Sequence, residues 1–281
     1  AMHAFKCATF KHRSHTDQCH HTDYRRAYHL ICHSQPQTPQ LLQLNMKALL
    51  ATHSLSVGYK HTTILKDINI SIFPAEVVSL LGSNGIGKST LLKSLTGEID
   101  AISGSVEIDN TPLKNLSNKA LSQLIAIVTT ERVQAGGLKV EELVSLGRHP
   151  HTGFFGKLSQ KDKQIAMEAM QSVGIYHKKD SFTSELSDGE RQKMMIARAI
   201  AQQTPIIILD EPFSFLDTAS RIEIFALLKK ISREKGVAIL LSSHDVAQSM
   251  RMSDRIIMID RNRNVTCGTP SEIIQEGNIN N

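Results

Sequence analysis

The five residues Val77-Val78-Ser79-Leu80-Leu81 run directly into Gly82-Ser83-Asn84-Gly85-Ile86-Gly87-Lys88-Ser89-Thr90, and a stretch with helical character, Ser89 to Leu95, follows. No other part of the chain restricts its fold so tightly. A short run of mostly apolar residues reads as a buried strand, and the glycine segment fits G-x-x-x-x-G-K-[ST]. Strand, glycine loop and helix in that order are the context in which this pattern wraps phosphate groups. The backbone N–H groups of Gly82 to Thr90 are expected to cradle the β- and γ-phosphates of a nucleotide, with the helix N-terminus behind them. Lys88 supplies a cation to the transferring phosphate, and the Ser89 hydroxyl is a ligand for Mg²⁺.

The rest of the chain alternates strand and helix signals. Ile206 to Leu209, Ala238 to Ser242 and Ile256 to Ile259 are strand-sized apolar runs, and Leu124 to Val128 is another. Such runs suit a largely parallel sheet covered on both faces. Upstream, Leu49 to Val57 and Ile64 to Phe73 each show period two, the second closed by Pro74. Gly104 to Asp109 reads as one more short strand. From about 131 to 201 the pattern changes. Val140 to Leu146 and Lys161 to Val173 carry helical spacing with no strand between them, and Pro150 and several glycines punctuate the stretch. This predicts a helical insertion in an α/β domain. A further helix is expected from about Ser220 to Lys235. No internal repeat is visible, so the chain carries one unit of this kind.

Composition narrows the function classes. The chain has 281 residues, of which 41% are apolar and 21% charged, enough for a real core. No apolar run reaches the roughly 20 residues that span a bilayer. The net charge is +5, but the basic residues are scattered without interleaved aromatics, which speaks against nucleic acid as a partner. The four cysteines show no paired spacing and give no disulfide framework, so the body reads as cytosolic.

Residues 1–45 differ from the body. They hold seven of the thirteen histidines, among them His12, His15, His20 and His21, and the cysteines Cys7, Cys19 and Cys32. Metal binding, a targeting peptide and an upstream extension compete as readings. No C-x-x-C or H-x-x-x-H pair holds a tetrahedral site, and no apolar core marks a signal peptide. Gln35-Pro36-Gln37-Thr38-Pro39-Gln40 has the composition of a disordered linker. An extension outside the working domain, which would begin near Met46, is therefore the expectation.

Two more segments carry chemistry. Ile206-Ile207-Ile208-Leu209 ends in Asp210-Glu211, which sets two carboxylates at the C-terminal end of a buried strand, where ligands sit in open α/β sheets. Asp210 is expected to hold Mg²⁺ through water, and Glu211 to orient and deprotonate an attacking water. His244 follows another apolar strand and is expected to lie beside Glu211 and reach the γ-phosphate. Tyr59, at a Gly-Tyr strand end, is a candidate for stacking on adenine.

Together these residues resemble the nucleotide-binding subunit of ABC transporters, from Met46 to about Gln275. Leu186-Ser187-Asp188-Gly189-Glu190-Arg191-Gln192 is similar to that family's signature. The resemblance implies an ABC-type P-loop core with an N-terminal antiparallel β region and an inserted helical subdomain. It implies a head-to-tail homodimer that hydrolyses ATP with Mg²⁺, in which Ser187 and Gly189 cap the γ-phosphate bound to the other copy. Asp188 stands in place of the first of two usual glycines and is expected to point away from the phosphate. Ser214-Phe215-Leu216-Asp217 resembles the loop that crosses the dimer interface. Where the family places a glutamine, this chain has Thr130 followed by Glu131, and either oxygen could approach Mg²⁺ or water.

Leu146-Gly147-Arg148-His149-Pro150 and Ala201-Gln202-Gln203-Thr204-Pro205 resemble importers of iron–siderophores, haem and vitamin B12. That likeness implies integral-membrane permease subunits, an external binding protein that supplies cargo, and a place at the cytoplasmic face of the membrane. An ABC transporter ATPase for another cargo is one alternative at this level, and two further readings remain. One is a soluble ABC-type ATPase acting on nucleic acid or ribosomes, although no second cassette or long coiled coil is present. The other is a non-catalytic regulatory cassette, against which Lys88, Asp210, Glu211 and His244 argue.

Overall fold

The computed structural model describes residues 47–60, 62–129, 137–153 and 156–275. The histidine-rich segment, Met46, Thr130 and Glu131 lie outside the described residues, so the expectations placed on them stay as stated.

The chain opens with β1 (Leu50–Tyr59), β2 (Thr62–Ile68), β3 (Ser71–Ile72) and β4 (Val77–Leu81), followed by α1 (Lys88–Leu95), β5 (Ser103–Ile108) and β6 (Thr111–Pro112). Next come α2 (Asn118–Ser122) and β7 (Ile125–Val128), then α3 (Val140–Ser145), a 3₁₀ segment (Leu146–His151), α4 (Gln160–Ser172) and α5 (Asp188–Ala201). The last part holds β8 (Ile206–Leu209), α6 (Thr218–Lys235), β9 (Ala238–Ser243), α7 (Val246–Met252), β10 (Arg255–Ile259), β11 (Val265–Gly268) and α8 (Pro270–Gln275).

Two sheets result. β7, β8, β9, β4 and β10 form a parallel sheet in that order, and β11 closes one edge antiparallel to β10. β2, β1, β5 and β6 form an antiparallel sheet, with β3 also on β1. Every residue of β4, β8 and β9 is buried. Alternate side chains divide between two cores. Ile207, Leu209, Ile239 and Leu241 join the helices α3, α4, α5 and α6, while Ile206, Ile208 and Leu240 join α1 and the antiparallel sheet. Burial on both faces explains the unbroken apolar runs, and each fully buried Leu or Ile stabilises by about 1.5–3 kcal/mol.

The stretch Ile64 to Phe73, expected as one strand region, is two strands. Thr52 is the cause. Its buried hydroxyl donates to the Ile68 carbonyl at 2.8 Å and accepts from the Ile70 N–H at 3.0 Å, taking the place of ladder bonds. Asp67 turns the chain there with φ of 50°.

Between β7 and β8, the described residues form helices and one isolated bridge, Lys139 to Phe182. Arg148 ties this region together. Its buried guanidinium donates to Asp162 Oδ1 at 3.0 Å, to the Ala201 carbonyl at 2.7 Å and to Gln203 Oε1 at 3.0 Å. Asp162 also caps α4 with Ser159. The Ser159 hydroxyl and N–H, followed by Arg148, hold the Asp162 carboxyl down to about 2.

At the opposite end of β4 from the glycine loop, Glu76 is buried and accepts the Phe73 N–H at 2.7 Å, with Arg255 at 3.5 Å. Burial raises its carboxyl to about 7 against the lowering effects of Phe73 and Arg255. A carboxyl raised in the folded state holds a proton there that the unfolded chain has lost. Its contribution to stability therefore falls as pH rises from the unfolded value through about 7. Glu76→Gln keeps the acceptor oxygen and removes the charge. It is expected to raise Tm by a few degrees near pH 8 and by much less near pH 5. Calorimetry at the two pH values is the measurement, and an equal gain at both would contradict this account.

Candidate active site

The glycine loop closes β4 and turns into α1. Gly85 has φ of 75° and Gly87 of 125°, conformations that side chains disfavour. At Gly87 there is also no room, because a Cβ would lie 2.8 Å from Ile64 Cγ2. Gly87 is the N-cap of α1, so no side chain accepts from the first N–H groups, and no acidic residue stands in the first turn. The described helices α4, α5, α6 and α7 are capped instead by Ser159, Ser187, Asp217 and Asp245. The bare donors of α1 therefore face the cavity with their partial positive charge, the arrangement that binds an anion.

A cavity of about 290 Å³ opens there, lined by Ile64 of β2, by Asn84, Gly85 and Gly87 of the loop, by Lys88, Ser89 and Thr90 of α1, and by Glu211. Lys88 is 5% exposed, and its ammonium donates to the Gly82 and Ser83 carbonyls at 2.9 and 3.2 Å. It lies 3.8 Å from Glu211 Oε1, so the phosphate-loop cation and the candidate base face one another. Ser89 is exposed at the cavity, which suits a ligand-binding hydroxyl.

Glu211 sits just past β8 with φ of 44°, an uncommon conformation for a side-chain residue. Two groups hold it there. Its N–H donates to Ser242 Oγ at 2.7 Å, and the Ser214 hydroxyl donates to its carbonyl at 3.0 Å and to Oε2 at 3.1 Å. Asp210 bonds back to β7 through the Val128 carbonyl and accepts from the Ser242 hydroxyl at 2.6 Å. His244 follows β9, the strand next to β8, and is exposed. Tyr59 ends β1 opposite Thr62 and is 49% exposed. Tyr59, Asp210 and His244 do not line the cavity. Ile64 and Ser242 were not singled out from the sequence, and Ser214, read there as part of the interface loop, was not linked to Glu211. For Ser242 the signal is present, since it is a hydroxyl in a strand otherwise read as apolar.

The segment Leu186 to Gln192 is elsewhere, since none of its residues lines the cavity. Ser187 caps α5 in a capping box with Glu190: its N–H and hydroxyl donate to Glu190 Oε2, each at 2.9 Å, and its hydroxyl accepts from the Glu190 N–H. The Ser187 N–H, then its hydroxyl and Lys178, hold the Glu190 carboxyl below its usual range. Asp188 is paired with Arg191 at 3.0 Å on its own helix, which neutralises the unusual carboxylate. Arg191 also donates to the Leu186 carbonyl, bracing the turn before α5. Gly189 is unconfined, with only Ser220 Oγ 3.7 Å from where a Cβ would stand.

The chain is similar to known proteins. The family model described as ABC transporter matches residues 65–214. An uncharacterized ABC transporter ATP-binding protein of Methanocaldococcus jannaschii is 38% identical over 232 residues, 83% of this chain and 80% of that protein. The iron(3+)-hydroxamate import ATP-binding protein of Bacillus subtilis is 35% identical over 80% of this chain and 84% of its own length. The ferric enterobactin transport ATP-binding protein of Escherichia coli is 33% identical over 81% and 84%. Among solved structures, CbiO1 of Clostridium perfringens, part of the ABC transporter complex CbiONQ, superimposes with a TM-score of 0.73 at 31% identity, covering 83% of this chain and 92% of that one. The chain belongs to the ABC transporter ATP-binding family, whose members are ATPases.

Proposed function

We propose that this chain is the ATP-hydrolysing subunit of an importer for an iron–siderophore, haem or cobalamin-type cargo. The observation that carries the cargo class is the 33–35% identity, across four-fifths of the chain, to an iron(3+)-hydroxamate import and a ferric enterobactin transport ATP-binding protein. The chain acts as a homodimer bound to integral-membrane permease subunits at the cytoplasmic face, and an external binding protein delivers cargo to the permease. Among the described residues no helix is long and apolar enough to cross a membrane, so in this reading the contact with the bilayer is made by the permease.

In this mechanism the loop and the bare α1 N-terminus bind the ATP phosphates, and Lys88 neutralises their charge. Ser89 and Asp210 fit a hard divalent cation, since one offers an exposed hydroxyl at the cavity and the other a carboxylate oriented by Ser242. Mg²⁺ held by these two residues would supply neutralisation of phosphate charge. Glu211 takes the proton of the attacking water, and His244 contacts the γ-phosphate. Tyr59 stacks on the base. Ser187 and Gly189 of one copy close over the phosphate held by the other, and this closure drives the permease.

The test is uptake of radiolabelled ferric hydroxamate, ferric catecholate, haem and cobalamin in cells lacking the gene. Loss of one of these activities, restored by the parent gene and not by Lys88→Ala, is expected. Parental uptake of all four, from cells whose purified parent protein hydrolyses ATP, would reject the cargo class.

A further inference from the structure

Among the described residues, Ser242 is the one side chain that bonds both acidic residues at the end of β8. β8 and β9 run parallel with Leu209 opposite Leu241, which brings Asp210 alongside Ser242. Ser242 is fully buried, so its hydroxyl has no water to turn to. Its proton goes to Asp210 Oδ1 at 2.6 Å, and its oxygen accepts the Glu211 N–H at 2.7 Å. That N–H belongs to the residue with φ of 44°, and such a backbone persists only where the surroundings hold it. The turn aims the Glu211 carboxylate at Lys88 and the cavity. An alanine or valine at 242 could satisfy neither partner.

We propose that Ser242 is a positioning residue for ATP hydrolysis, fixing Asp210 and Glu211 relative to one another through a single hydroxyl. This role rests on the reading of Glu211 as the base and Asp210 as the residue facing the metal. Ser242 does not line the cavity. It acts through the plane of the Asp210 carboxylate and the backbone angle of Glu211. A small error in either would misplace the water-activating group while the phosphate loop, which binds the nucleotide, stayed intact.

The experiment compares Ser242→Ala, Ser242→Thr, Ser79→Ala and Glu211→Gln in the full chain. Steady-state ATPase kinetics, ATP affinity by fluorescent-nucleotide displacement, and Tm are measured. Ser79 is the control because it is equally buried and pairs with Ser253 at 2.6 Å, away from the acidic pair. Ser242→Ala is expected to lower kcat by about tenfold to a hundredfold, with KM and ATP affinity within about twofold of the parent. Ser242→Thr keeps the hydroxyl and should recover most of the loss, and Ser79→Ala should keep the parental kcat. A parental kcat in Ser242→Ala beside an inactive Glu211→Gln overturns the positioning role alone. So does an equal loss in Ser79→Ala, or a threonine variant no better than alanine. An active Glu211→Gln overturns the base assignment and the positioning role with it.

Discussion

Glu211→Gln is expected to lower ATP turnover by about 10²–10⁴-fold while ATP affinity stays within about twofold of the parent. The carboxylate lies 3.8 Å from the Lys88 ammonium at the cavity, and glutamine keeps its shape. The Ser214 hydroxyl can still donate to the amide oxygen, and the Glu211 N–H to Ser242, so the turned backbone is preserved. What is lost is the ability to take a proton from water. ATP then binds without being consumed, and the two copies should stay closed on it. Size exclusion with ATP should show a species of doubled mass in the variant and not in the parent. Hydrolysis at near the parental rate would remove Glu211 as the base.

The second large effect concerns where a complete site resides. Ser187 caps a helix whose start does not line the cavity holding Lys88. In the proposed head-to-tail dimer, Ser187 of one copy serves Lys88 of the other. Ser187→Arg should bind ATP as one chain yet fail to close over a partner. Lys88→Ala should fail at nucleotide binding, because the phosphate charge is left unpaired. In a heterodimer of the two variants, Lys88 of the Ser187→Arg chain meets Ser187 of the Lys88→Ala chain in one intact site, and the second site carries both lesions. ATP-dependent dimerisation, measured by sedimentation with Glu211→Gln added to both chains, should be absent for each variant alone and appear on mixing. No gain on mixing folded chains argues against a shared site.

The parts of the fold legible in the sequence were those whose burial is uniform. β4, β8 and β9 are buried on both faces and stand out as apolar runs, and the glycine spacing marks the loop that ends β4. The edge strands β6 and β11 were not legible. β11 has three half-buried residues in four, and it returns to β10 through a turn set by Asp260, which accepts from the Asn264 N–H and side chain. No hydrophobic period records such a turn. The candidate site divides in the same way. Lys88, Ser89, Asp210 and Glu211 lie in local patterns, whereas Ser242 acquires its partners only when β9 is set beside β8. The clamp of Arg148 on Asp162, Ala201 and Gln203 joins three segments that a linear pattern keeps apart.

The two ends of α5 are held very differently. At its C-terminal end, the Gln202 amide donates to the Ser122 and Ile125 carbonyls at 2.6 and 3.0 Å, and Arg198 donates to the Ile127 carbonyl at 3.2 Å, so that end is bolted to β7 and its approach. At the other end is Ser187, whose capping box is internal to the helix, with Lys178 as a half-exposed outside partner. The 14 residues between make a rod of about 21 Å at 1.5 Å per residue. With one end as the fulcrum, a tilt of about 10° sweeps Ser187 through an arc of about 4 Å, more than the length of a hydrogen bond. In the proposed dimer, a swing that leaves the β7 anchor and its backbone bonds untouched would thus be enough to bring Ser187 into or out of reach of the partner's phosphate.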